Sequence, residues 1–258
     1  MTDLVRLVTH DGWAEIQLAR HDKRNALNRA MRQSLASCLD RLEALARVVV
    51  ITGTESSFCA GLDLKEREED KAAGRVDTAG DEWMEVNTRV REHPAVFVAA
   101  VNGLALGAGV TLLNSCDLAI AANSARIGCP ELGFATYAGM AGPTTQLTIS
   151  RRHAAWLLLT AERIDAATAL HWGLINEVVE PAHLAARAAE LATHIAQFDR
   201  IALREVKKAL NHIPAHIADW REAMEYGQQV NQNIRRETTA AAEGLARFAR
   251  GERNIGQG

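Results

Sequence analysis

The sequence predicts an α/β fold in which strands and helices alternate through repeated crossovers, followed by a largely helical final third. Three observations predict it. Short β-branched or apolar runs, "RVVVIT" (47–52) and "AVFVAAV" (95–101), recur between stretches of helical period, as buried strands do between crossover helices. Each run leads into a turn of small residues, "SFCAGLDL" (57–64) and "NGLALGAGVT" (102–111). From Pro181 onward nearly every segment repeats its apolar residues at helical spacing.

Taken in order, "LVRLVTHDGWAEIQLA" alternates about Asp11-Gly12 and reads as a hairpin. The next segment has Asn28 at an N-cap position and Met31, Leu35, Leu39, Leu42 and Leu45 on one helical face. "RVVVIT" follows as a strand, and residues 65–80 are charged and irregular. A helix is expected over 81–92 with Trp83, Val86 and Val90 inward, then "AVFVAAV" as a strand, the Gly/Ala turn, and a short helix to Cys116. "DLAIAA" and "ARIG" read as the next strands. "DAATALHWG" reads as a compact helix capped by Asp165 and closed by Gly173. Leu184, Ala188, Leu191, Ile195 and Phe198 share one stripe; Leu203, Val206, Leu210 and Ile213 share another; two more helices fill 215–250.

Composition narrows the function classes. The chain has 258 residues, long enough for a full core without staples. Lys and Arg number 29 against 32 Asp and Glu, a net charge of −3, so nothing favours nucleic acid or a membrane surface as partner. Cys38, Cys59, Cys116 and Cys129 are scattered without CxxC or a companion His spacing, which predicts buried thiols and no metal site. The N-terminal stretch lacks an apolar signal region, and no run is long enough to span a membrane, so a cytoplasmic location is expected.

The glycine turns carry the chemistry. Small residues let a ligand approach the backbone, and a turn feeding a helix leaves unpaired N–H groups at the positive end of its dipole. Such turns bind phosphate, stabilise an oxyanion, or simply pack tightly. "GLALGAG" lacks the full GxGxxG spacing, and no acidic residue ends the second strand, which argues against a dinucleotide site. No GxxxxGK[ST] occurs, so a P-loop is absent.

Four segments in order, "KRNALNRAM", "SSFCAGLDLKE", "AVNGLALGAGVTLLNSCDLAIAANSARIGCPELG" and "LTAERIDAATALHWGLINEVV", closely resemble the enoyl-CoA hydratase/isomerase, or crotonase, family. The resemblance runs from about residue 4 to 180 and continues more loosely beyond. It implies a spiral of ββα repeats over residues 1–190 and a helical region over 191–258 used for trimer, or dimer-of-trimers, contacts. It also implies that the backbone N–H groups of Ala60 and Ala108 hold a thioester carbonyl, with Gly107 among the residues that contact the substrate. Coenzyme A, entering as part of the substrate and not as a cofactor, would meet Lys23, Arg24, Ala26, Gly61, Leu62, Asp63, Leu64 and Lys65. Lys23 and Arg24 read equally well as solvated surface charges.

Two departures from the family pattern bear on the reaction. Family hydratases divide proton transfer between two glutamates. Here the second is Glu131, in "GCPELG", while the first position is Thr111, which cannot act as a base near neutral pH. A lone carboxylate suffices to move a double bond, so isomerisation is expected, with hydration as the alternative and a non-catalytic acyl-CoA binder as a third reading. Downstream, "AGMAGPTTQL" (138–147) replaces the family's "PGxGGTxRL", which makes Thr136 and Tyr137 candidates for the acyl end of the pocket.

Overall fold

The computed structural model describes residues 4–252. The chain opens with strands β1 (Val5–Thr9) and β2 (Trp13–Leu18), an antiparallel pair turning at Asp11-Gly12 as the alternation predicts. Helix α1 (Arg29–Leu42) follows, its first turn capped where the Met31 amide donates to the Asn28 side chain at 3.0 Å. Then come β3 (Val48–Gly53), β4 (Ser57–Cys59), α2 (Leu64–Ala72) and α3 (Ala79–Glu92). The next unit is β5 (Val96–Val101), β6 (Leu104–Leu106) and α4 (Ala108–Ser115). A third unit repeats the plan with β7 (Leu118–Ala122), β8 (Arg126–Gly128), α5 (Ala141–Thr148) and α6 (Arg151–Thr160). The chain then runs through β9 (Ile164–Asp165), α7 (Ala166–His171), β10 (Glu177–Val179), α8 (Leu184–Ile195), α9 (Arg200–His216), α10 (Trp220–Glu237) and α11 (Ala240–Ala249).

Each repeat sends its longer strand to one sheet and its short strand to another. The large sheet has the order β1-β2-β3-β5-β7-β10, parallel beyond its first pair, and the small sheet the order β4-β6-β8-β9. This is the ββα spiral that the four motifs imply. Both faces of the large sheet are buried, which explains the unbroken apolar runs. Val49, Ile51, Phe97 and Ala99 face α1, α3 and α4, while Val48, Val50, Val96 and Val98 face Leu184, Ala188 and Ala192 of α8.

Four expectations need correction. Residues 65–80 contain a helix, α2, which hides itself from periodicity because ion pairs hold it in place of an apolar stripe. The Arg29 amide donates to Glu66, the Arg29 guanidinium meets Asp70 at 2.8 Å, and buried Arg32 meets Glu66 at 3.1 Å. Leu45 lies beyond the end of α1 and is 66% exposed. Val206 and Leu210 are exposed as well, because α9 instead buries Lys207, which reaches Asp117 at 2.9 Å and the carbonyls of Val90 and Ala95. Finally, residue 190, the expected end of the core, lies inside α8, whose buried face runs on to Ala196. Residues 253–258 of the expected helical region lie outside the described residues.

Candidate active site

The two glycine turns meet. A Cβ built on Gly61 would lie 3.2 Å from the Leu106 carbonyl oxygen and 3.7 Å from the Ala108 amide nitrogen. Gly61 (φ +101°) and Gly107 (φ +51°) both hold backbone angles that favour glycine, so the small residues serve geometry as well as space. The Trp83 indole N–H donates to the Ala108 carbonyl at 3.2 Å and fixes the start of α4 against α3.

Ala108 opens α4, and its N–H has no backbone acceptor among the described residues, as expected for the first position of a helix. Ala60 does not fit the role expected of it. Its N–H donates to the Arg24 carbonyl at 3.0 Å and is already committed. Two residues on, the pairing of Leu62 with Leu27 uses the Gly61 carbonyl and the Asp63 amide, at 2.8 and 3.1 Å, and leaves the Leu62 N–H without an acceptor among the described residues. Leu62 on the first turn and Ala108 on the second are therefore both uncommitted amides of the facing turns. Both candidates for the first turn lie in one motif, and only the direction of its pairing separates them.

Glu131 sits in a 3₁₀ turn, Pro130–Phe134, and its carboxylate lies against Gly107. The turn is held by Thr136, whose amide and hydroxyl both donate to the Glu131 carbonyl, at 3.2 and 3.1 Å. Glu131 Oε2 is buried with no hydrogen-bond partner, and burial raises its pKa above the usual carboxylate value. A carboxyl in that condition suits proton transfer near neutral pH. Thr111 is 2% exposed, one helical turn beyond Gly107, with only a long 3.5 Å bond from its hydroxyl to the Gly107 carbonyl.

Two of the carboxylates that could have replaced the missing glutamate are engaged elsewhere. Asp63 meets Arg20 at 2.6 Å and caps α2 through the Lys65 and Glu66 amides. Burial pushes its pKa up, but the Arg20 hydrogen bond and the capping amides outweigh that and hold it below the usual range. Glu66 accepts from the Arg29 amide and from Arg32, and Glu68 is exposed.

The remaining candidates cluster at the first turn. Lys23, Arg24, Leu64 and Lys65 are exposed, and Lys23 and Arg24 form no ion pair with a described residue. Ala26 gives its carbonyl to Arg20 at 2.8 Å, which ties that loop to Asp63. Arg20 and Asn25 are not expected from the sequence, and Trp83 is expected only as an inward core residue. Asn25 is buried, accepting from the Arg20 amide at 2.9 Å and donating to the Ser57 carbonyl at 2.7 Å; an Asn beside two basic residues gives no such signal. Tyr137 stands 59% exposed on the loop after Glu131. Among the described residues no group of three or more acidic, His or Cys side chains could hold a metal ion, and no helix is long and apolar enough to cross a membrane.

A two-sheet ββα spiral whose glycine turns present free amides beside a half-buried glutamate defines an enzyme of the crotonase fold. The chain belongs to the enoyl-CoA hydratase/isomerase family, whose model matches residues 9–254. It is 36% identical over 216 residues to the putative enoyl-CoA hydratase/isomerase YngF of Bacillus subtilis, covering 79% of this chain and 80% of that protein. It is 31% identical to the 1,2-epoxyphenylacetyl-CoA isomerase of Escherichia coli, covering 85% and 86%. The crystal structure of an enoyl-CoA hydratase from Bacillus anthracis superposes with a TM-score of 0.87 at 30% identity, covering 96% of each chain.

Proposed function

We propose that this chain moves the double bond of a 3-enoyl-CoA into conjugation with the thioester. Glu131 takes a proton from C2, and the electron pair spreads onto the thioester oxygen between the amides of Leu62 and Ala108. The same carboxyl then returns the proton to C4, so the double bond passes from C3–C4 to C2–C3. Donors aimed at the developing oxyanion are worth roughly 10²–10³ in rate each. One observation carries the choice of reaction: Glu131 is the carboxylate lying against the Gly107 turn, with Thr111 one helical turn on and Asp63 and Glu66 committed to arginines.

Hydration of a 2-enoyl-CoA is the second reading. The Thr111 hydroxyl favours it, since its long bond to the Gly107 carbonyl leaves it able to hold a water. For the nucleotide end of coenzyme A, the free cations Lys23 and Arg24, with Ala26 and residues 61–65, are the proposed contacts. The exposed Val206, Leu210, Trp220 and Met224 support subunit contacts in a homotrimer or dimer of trimers; a monomeric mass by light scattering would overturn that assignment. The proposed reaction is tested by following the rise of conjugated-thioester absorbance from a 3-enoyl-CoA. Wild type should convert it and Glu131→Gln should not; equal rates would overturn the role of Glu131.

A further inference from the structure

The loop after Glu131 borders a hollow of about 660 Å³ that the reaction above leaves unused. Its size is that of small-molecule sites, roughly 300–1,000 Å³. Leu132, the residue next to Glu131, lines it together with Leu158 of α6, and its polar lining includes Tyr137, Gln146 and Arg151. No side-chain carboxylate lines it.

The hydrogen bonds show which of these groups are free. Gln146 Nε2 donates to the Tyr137 hydroxyl oxygen at 3.0 Å and to the Gly142 carbonyl at 3.2 Å, so both amide protons are used. The Tyr137 hydroxyl thus accepts from Gln146, and its own proton has no acceptor among the described residues. A Cβ at position 142 would lie 2.6 Å from that hydroxyl, so Gly142 keeps room for a phenol held in place although it is exposed. Arg151 makes no ion pair or hydrogen bond through its side chain with any described residue. As the first residue of α6, with no acidic residue in that turn, it gains nothing from the helix dipole.

Resting on the acyl-CoA reading above, we propose that this hollow receives the far end of the acyl group, and that the acyl group ends in a carboxylate. The chain would lie along Leu132 and Leu158, with the carboxylate accepting from the Arg151 guanidinium and the Tyr137 hydroxyl. A guanidinium presents a planar fork of donors matched to a carboxylate, and such charge-assisted bonds are the strong ones.

The test needs no turnover. Calorimetric affinities are measured for saturated thioesters in two pairs, hexanoyl-CoA with adipyl-CoA and octanoyl-CoA with suberyl-CoA. The proteins are wild type, Arg151→Gln and Tyr137→Phe. Wild type should bind the carboxylate-ended member of at least one pair about tenfold or more tightly than its methyl-ended partner. Arg151→Gln should erase that preference and Tyr137→Phe should reduce it severalfold, with binding of the methyl-ended thioester reporting that each variant is folded. Equal affinities in both pairs, or a preference that survives Arg151→Gln, would overturn the proposal. Binding of none of the four would overturn the acyl-CoA reading itself, and the carboxylate subsite with it.

Discussion

The Glu131 carboxylate rests on the bare Cα of Gly107, so close that a Cβ there would lie 2.5 Å from Oε1. That contact sets where the carboxylate, the proposed proton-transfer group, stands relative to the start of α4. Gly107→Ala must move either the carboxylate or the turn, which holds φ at +51°. A displacement of this kind costs up to about a hundredfold in rate. The variant should keep its circular dichroism and lose one to two orders of magnitude in kcat; a wild-type rate would mean that the contact does not position Glu131.

Ala108 offers a way to remove one of the proposed oxyanion donors without removing a helix. Proline is tolerated at the first helical position because the N–H it lacks is unpaired there anyway. Ala108→Pro should therefore fold and lose about 10²–10³ in kcat. Retention of activity would show that the Ala108 amide does not bind the thioester oxygen.

The buried carboxyl of Glu131 also predicts a pH dependence. Its folded-state pKa is raised, chiefly by burial, above the ordinary 4.5, so kcat/KM should rise with pH through an inflection above that value as the base form appears. Stability runs the other way. Below the unfolded pKa the carboxyl is protonated in both states and carries no penalty; as pH climbs through the folded value, the buried charge destabilises the fold. Glu131→Gln should thus lose about 10²–10⁴ in rate while raising Tm near pH 8, with the gain fading toward pH 4. A Tm difference that does not change with pH would contradict the assigned burial of charge.

Much of this arrangement is legible in the sequence, for physical reasons. β3 and β5 announce themselves because burial on both faces leaves no polar alternation, and α1 because one stripe alone is buried. Glu131, Gly107 and Ala108 enter through the family resemblance of the motifs that contain them. What escapes depends on partners distant in the chain. α2 is held by Arg29 and Arg32, from a helix 22 residues before it, so no local period marks it. The exchange of Ala60 for Leu62 depends on which amides Arg24 and Leu27 occupy, a fact of pairing that one turn's letters cannot carry. Arg151 and Tyr137 come together only when α6 packs against the loop following Glu131.

In the proposed reaction one carboxylate does the chemistry, and Thr111 marks the loss of hydratase function. The most direct test is a paired assay on one preparation, with hydration of a short 2-enoyl-CoA set beside conversion of a 3-enoyl-CoA to its conjugated isomer. Isomerisation at least a hundredfold faster than hydration is the predicted result. Hydration as fast as isomerisation would contradict it and favour the second reading, with a water held on Thr111.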